Sequence, residues 1–174
     1  MKDEIAAELT HVYRFALRLT RGNRHIAEDI AHDAMVKALS NSHQCRNPQA
    51  LRAWIFRITA NTWNDWVRAK QSRLSLVPGD VAEQEDRTKP VQEFIELKES
   101  VDKTMAAMDQ LPQRQRSVLY LTACEQLSAH EVSEVLQISV GAVKASLCVA
   151  RAKMRLNLSS EESTETNRGE KMAP

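Results

Sequence analysis

Ile26, Ala27, Ile30, Ala31, Ala34, Met35, Ala38 and Leu39 recur every three to four positions, the period of one helix face and not of a strand. Little in the rest of the chain breaks that pattern. Only four glycines and five prolines punctuate 174 residues; Pro48, Pro78 and Pro90 fall between periodic segments, and Pro112 sits where a helix starts. Such punctuation suits helices better than many short strands.

Other stripes fill in the first half. Leu9, Val12, Tyr13, Ala16, Leu17 and Leu19 form one, ending near Gly22 and Asn23. A helix is expected from Pro48, where proline suits the first turn, through Leu51, Trp54, Ile55 and Ile58. Asn61 reads as an interruption, with a fourth helix over Thr62 to Gln71. Closely spaced helices with short connections make a compact bundle. Periodicity then fails from Ser72 to about Pro90, where Pro78-Gly79-Asp80 is a turn signal and the acidic run lacks a core face, so residues 74–92 read as a flexible linker.

Apolar spacing resumes at Phe94, Ile95, Leu97, Val101, Met105 and Met108, and Leu111-Pro112 opens a helix through Val118, Leu119 and Leu121. Leu127 to Leu136 and Val140 to Leu156 follow, split by a short turn at Gln137–Ser139. Ser128 with Glu131 three residues on has the form of a capping box. Two helices joined by so short a turn are expected to form a helix-turn-helix, whose second helix enters the major groove. That helix offers Lys144, Arg151, Lys153 and Arg155. The expected fold class is all-α, with two small helical domains (1–73 and 93–158), and a disordered tail at 159–174.

Net charge is only +1, but it is unevenly spread. Residues 1–73 hold 12 Lys/Arg against 7 Asp/Glu, residues 74–103 hold 4 against 8, and residues 104–158 hold 6 against 4. Two basic blocks flanking an acidic connector suit two surfaces that meet a polyanion. The charged stretch Met1 to Glu8 does not have the form of a signal peptide, and no run approaches the ~20 apolar residues of a membrane span. Cys45, Cys124 and Cys148 are odd in number and lack CxxC spacing, which points away from a disulfide framework and from a zinc site, and towards a reducing cytoplasm. No metal or other cofactor is expected.

Three stretches, in order, carry a family resemblance. Ala27-Glu28-Asp29-Ile30-Ala31-His32-Asp33 resembles the helix by which sigma factors grip the polymerase clamp. Arg52-Ala53-Trp54-Ile55-Phe56-Arg57-Ile58, with Asn61, Asp65 and Arg68, resembles their promoter-melting segment. Leu111-Pro112-Gln113-Arg114-Gln115-Arg116, through Gly141-Ala142-Val143-Lys144 to Ala150-Arg151, resembles their C-terminal promoter-reading domain. The chain resembles the extracytoplasmic-function (ECF) class of sigma-70 factors over about residues 9–157.

The resemblance implies RNA polymerase core (its β and β′ subunits) and promoter DNA as partners, an anti-sigma protein as regulator, a linker threading the polymerase, and no bond chemistry in the chain itself. It implies core binding through Asp29, His32, Asp33 and Lys37, which share a polar helix face at i, i+3, i+4 and i+8. Relatives usually carry Gln at the His32 position and Glu at Asp33; both replacements keep hydrogen bonding. It implies reading of an unpaired −10 base by Asn61 and its neighbours Thr62, Trp63, Asp65, Trp66, Arg68, Lys70 and Arg73. Trp63 and Trp66 would stack on bases and the basic residues would meet phosphate. Core packing competes as a reading of Trp66, and for Trp54 it is the preferred one.

For the −35 element the implied readers are Arg114, Arg116, Ser139, Val140, Gly141, Ala142, Lys144, Ala145, Ser146, Cys148, Arg151 and Lys153. Here the sequence departs from the pattern. Relatives commonly carry Ser then Arg after the lysine, with a further Arg near position 149, where this chain has Ala145, Ser146 and Val149. Weak or unusual −35 reading is expected.

Three rivals stay open. His25, Glu28 or Asp29, and His32 have the spacing of a metal-binding helix, though no second cluster completes a site. A ligand-sensing helix-turn-helix regulator explains residues 111–156 equally well, but not Trp54 to Arg68. A sigma-derived polymerase adaptor fits the altered recognition helix.

Overall fold

The computed structural model describes residues 2–45, 47–74 and 103–169, with side chains described up to residue 158 apart from those at 73 and 74. Among these there are helices and no strands. They are α1 (Lys2–Ala7), α2 (Leu9–Leu19), α3 (Arg24–Ser40), α4 (Leu51–Leu74), α5 (helical at 103–109), α6 (Gln113–Ala123), α7 (Ala129–Leu136) and α8 (Val140–Gly169). Short 3-10 turns at Ser42–Gln44 and Pro48–Ala50 bridge α3 to α4. The expected linker, residues 74–92, lies outside the described residues apart from Leu74.

Helix α3 forms as its stripe dictates. Asn23 caps it by accepting from the Ile26 amide at 3.1 Å, and Ala27, Ile30, Ala31, Ala34, Met35 and Ala38 are all buried. They pack with Ile5, Val12, Ala16, Leu51 and Ile55 into the core of the N-terminal bundle, which also takes in Cys45 as a small hydrophobe.

Two expectations fail here. Asn61 does not break the chain, because α4 runs through it without a stop. The buried face Ile55, Phe56, Thr59, Ala60 continues to Thr62, and an asparagine within a helix costs only about 0.7 kcal/mol relative to alanine. The second failure concerns α2, where Leu9 is 51% exposed while Phe15, which the stripe omits, is fully buried.

Phe15 is buried because the two halves share a second core. Phe15, Leu19, Ala53, Phe56 and Ala60 from the N-terminal half meet Met108, Leu111, Tyr120, Leu121, Leu127 and Val132 from the C-terminal half. The Phe15 ring meets Phe56 edge-on at 5.3 Å and stacks with Tyr120 at 5.9 Å. Polar contacts frame this seam. Arg18 donates to both oxygens of Asp109 at 3.0 and 3.2 Å. The buried Glu125 carboxylate accepts from the Tyr120 hydroxyl at 2.9 Å and lies 2.9 Å from His11 Nδ1. Burial first, and then the Glu125 charge, hold the Tyr120 hydroxyl protonated far above its ordinary pKa.

Helix α7 opens on the expected capping box. The Glu131 amide donates to Ser128 Oγ at 3.3 Å, and Glu131 Oε2 accepts from the Ser128 amide at 2.8 Å and from its hydroxyl at 2.6 Å. These bonds, led by the hydroxyl, hold the Glu131 pKa below the ordinary carboxylate value. A lowered carboxylate pKa contributes stability above its unfolded value and loses it as pH falls through the folded one. Ser128→Ala is therefore expected to cost about 1 kcal/mol at neutral pH. The difference from the parent should shrink in acid, as chemical denaturation at pH 7 and pH 3 would show.

Of the expected disordered tail, residues 170–174 lie outside the described residues. The backbone of α8 continues helical past Ser159 to Gly169, and extending an existing helix costs far less than nucleating one.

Candidate nucleic-acid interface

On α3, Asp29, His32 and Asp33 are all exposed, on the side opposite the buried stripe. Val36, which the polar pattern does not flag, extends that face and is 48% exposed. Lys37 is exposed as well and also reaches α4. Its Nζ donates to Thr62 Oγ1 at 3.1 Å and lies 4.0 Å from Asp65, so it ties α3 to α4.

The expected −10 residues lie along one continuous helix. Thr62, expected to meet DNA, is instead 4% exposed beneath Lys37 and positions that lysine. Asn61 is half-buried and Asp65 is exposed, bound by Arg68 at 3.0 Å. Trp63 and Trp66 stack on each other at 5.2 Å with their planes 12° apart, and Lys70 Nζ sits 5.2 Å above the Trp66 ring. Both indoles also lean on the bundle core, and the Trp63 Nε1 is buried without a hydrogen-bond partner. Packing and stacking are thus both served by this ladder. Arg73 falls in the last turn of α4.

In the C-terminal half, α7 and α8 meet at a bend of 103°, within the range of a helix-turn-helix. Gln137 turns the chain in the left-handed region (φ 55°), a place where glycine is the usual signal. Ser139 Oγ then accepts from the Ala142 amide at 3.1 Å and caps α8. Val143, Ala150 and Met154 anchor α8 in the shared core. Gly141, Lys144, Ala145, Cys148, Arg151 and Lys153 face outward, while Val140, Ala142 and Ser146 are half-buried. Arg114 is exposed beside them at the start of α6.

Arg116 is the clear correction. It is 1% exposed, and its guanidinium donates to three carbonyls: Arg18 O at 2.6 Å, Asp109 O at 3.2 Å and Leu111 O at 3.0 Å. It caps the C-terminal ends of α2 and α5, where unpaired carbonyls and the helix dipole favour a cation. Burial lowers its pKa to about 10, so it stays charged at neutral pH. Arg116 has no access to DNA in this arrangement. Among the described residues, no three His, Cys, Asp or Glu side chains group to hold a metal, and no single helix is long and apolar enough to cross a membrane.

The chain matches the family models for Sigma-70 region 2 over residues 5–73 and for Sigma-70, region 4 over residues 102–154. It is 29% identical over 155 residues to the RNA polymerase sigma factor SigV of Bacillus subtilis, covering 86% of each chain. It is 32% identical over 158 residues to the ECF RNA polymerase sigma factor SigE of Mycolicibacterium smegmatis, covering 89% of this chain and 60% of that one. Its fold is similar to that of the Bartonella quintana sigma factor RpoE, solved in complex with the anti-sigma factor NepR. The TM-score is 0.77 at 21% identity, with 91% of this chain and 96% of that one covered. With the order of helices, the helix-turn-helix and both regional models in agreement, the chain belongs to the sigma-70 family, in its extracytoplasmic-function class.

Proposed function

We propose that this sigma factor carries RNA polymerase core to promoters, melts and reads the −10 element through α4, and docks on the −35 element through α8. The supporting observation is the pairing, in one chain, of a capped helix-turn-helix with an outward basic second helix and a bundle exposing Asp29, His32 and Asp33. Phosphate contacts from Lys144, Arg151 and Lys153 set register, and groove-facing side chains supply discrimination.

The polar face of α3 meets a basic helix of the polymerase clamp, formed by the β and β′ subunits. Trp63 and Trp66 receive unstacked bases at the −10 element, beside Asn61 and Arg68. The acidic segment 74–92 suits a basic channel of the polymerase. Bond formation belongs to the polymerase, and the protein works in the cytoplasm with it. An anti-sigma protein holds the free factor in check, as NepR accompanies the RpoE relative.

Fluorescence anisotropy with labelled full-length chain and purified core polymerase tests the first step. Nanomolar binding that a second sigma factor displaces is expected. No binding would return the choice to an ordinary helix-turn-helix regulator.

A further inference from the structure

Beside the recognition helix lies a groove of about 400 Å³, lined by Pro112, Arg114 and Gln115 of the α6 start and by Ala142, Ala145, Ser146 and Val149 of α8. Its α8 wall is apolar where it faces out: Ala145 is exposed, and Val149 is 44% exposed despite its size. The stretch of α8 that carries this wall is one-signed. No Asp or Glu occurs between residues 137 and 158, while Lys144, Arg151, Lys153 and Arg155 do, and Arg114 stands exposed at the rim. An apolar slot inside a cationic frame is complementary to a polyanion that offers apolar groups at its surface. In the DNA major groove, that group is the C5-methyl of thymine, which alanine and other apolar side chains contact. Guanine reading, by contrast, relies on arginine or lysine forked onto O6 and N7, and the groove-lining α8 positions carry no such side chain.

We propose that this groove reads thymine methyl groups, with Val149 and Ala145 as the specificity-determining residues of the −35 contact. The inference rests on the promoter-reading role proposed above and deepens it. Lys144 and Arg151 fix the helix on the backbone, and Arg114 holds a phosphate across the slot. Selection among base pairs then comes from methyl burial.

The test uses holoenzyme made from the full chain and core polymerase. Promoters are selected from a library randomised upstream of the −10 element. Selected −35 elements should place thymines at fixed positions. Replacing one such thymine by deoxyuridine, which removes only the methyl, should weaken holoenzyme binding about fourfold. Val149→Ala, a change at an exposed position, should abolish most of that penalty at one position and leave it at the others, a coupling that general weakening would not produce. Initiation from elements at which deoxyuridine makes no difference overturns the methyl reading while leaving the sigma role intact. Start sites sharing only a −10 element also overturn it. Absence of any initiation overturns the sigma role and this inference together.

Discussion

Arg116→Ala is expected to cost the protein about 3 kcal/mol or more, since hydrogen bonds to a charged group contribute about 1.5–3 kcal/mol each. The loss has an identifiable origin. The carbonyls of Arg18, Asp109 and Leu111 lose their donor, and the Leu111 acceptor, which is buried, carries a desolvation penalty of about 1–3 kcal/mol when left unpaired. Because a domain is stable by only about 5–15 kcal/mol in all, the denaturation midpoint should fall steeply. Arg114→Ala, two residues earlier and exposed, should leave stability within about 0.5 kcal/mol. Its effect belongs to DNA: the slope of promoter affinity against salt should drop by about one counterion. If Arg116→Ala were stable but blind to DNA, the capping role given to Arg116 would be wrong.

Reversing Asp29 and Asp33 together to lysine is expected to weaken core polymerase binding by roughly 100-fold or more. Losing one partner of a buried interfacial charge pair costs about 2–5 kcal/mol, and each 1.4 kcal/mol is tenfold. Both residues are exposed in the free chain, so the fold should tolerate the change, and unchanged thermal unfolding would establish that. Anisotropy against core polymerase reads the effect. Unaltered affinity would mean that the α3 face is simply a solvated one.

What was legible in the sequence was what local spacing determines. The α3 stripe, the Asn23 boundary and the Ser128–Glu131 box each involve groups within a few residues of one another, and each formed as its pattern implies. What escaped depends on the two halves meeting. Phe15 lies off the stripe of α2 and is buried only because Tyr120 comes from more than a hundred residues away to stack on it. Arg116 sits in the polar run Gln113-Arg114-Gln115-Arg116, which reads as uniformly solvated until α2 supplies a carbonyl across the seam.

Among the candidate sites, the outward faces of α3 and α8 follow from periodicity. The Lys37–Thr62 tie does not, because it joins two helices 25 positions apart. Asn61 misled for a different reason. Asparagine weakens a helix only slightly, and tertiary packing on either side of it prevailed.

Transcription in vitro decides whether the chain is an initiating sigma factor. Full-length chain is added to sigma-free bacterial core polymerase on a genomic promoter library, and transcript 5′ ends are mapped. Specific start sites that depend on the added chain and share two upstream elements at fixed spacing are expected. Tight core binding without any initiation would contradict that role and leave the chain an adaptor on polymerase.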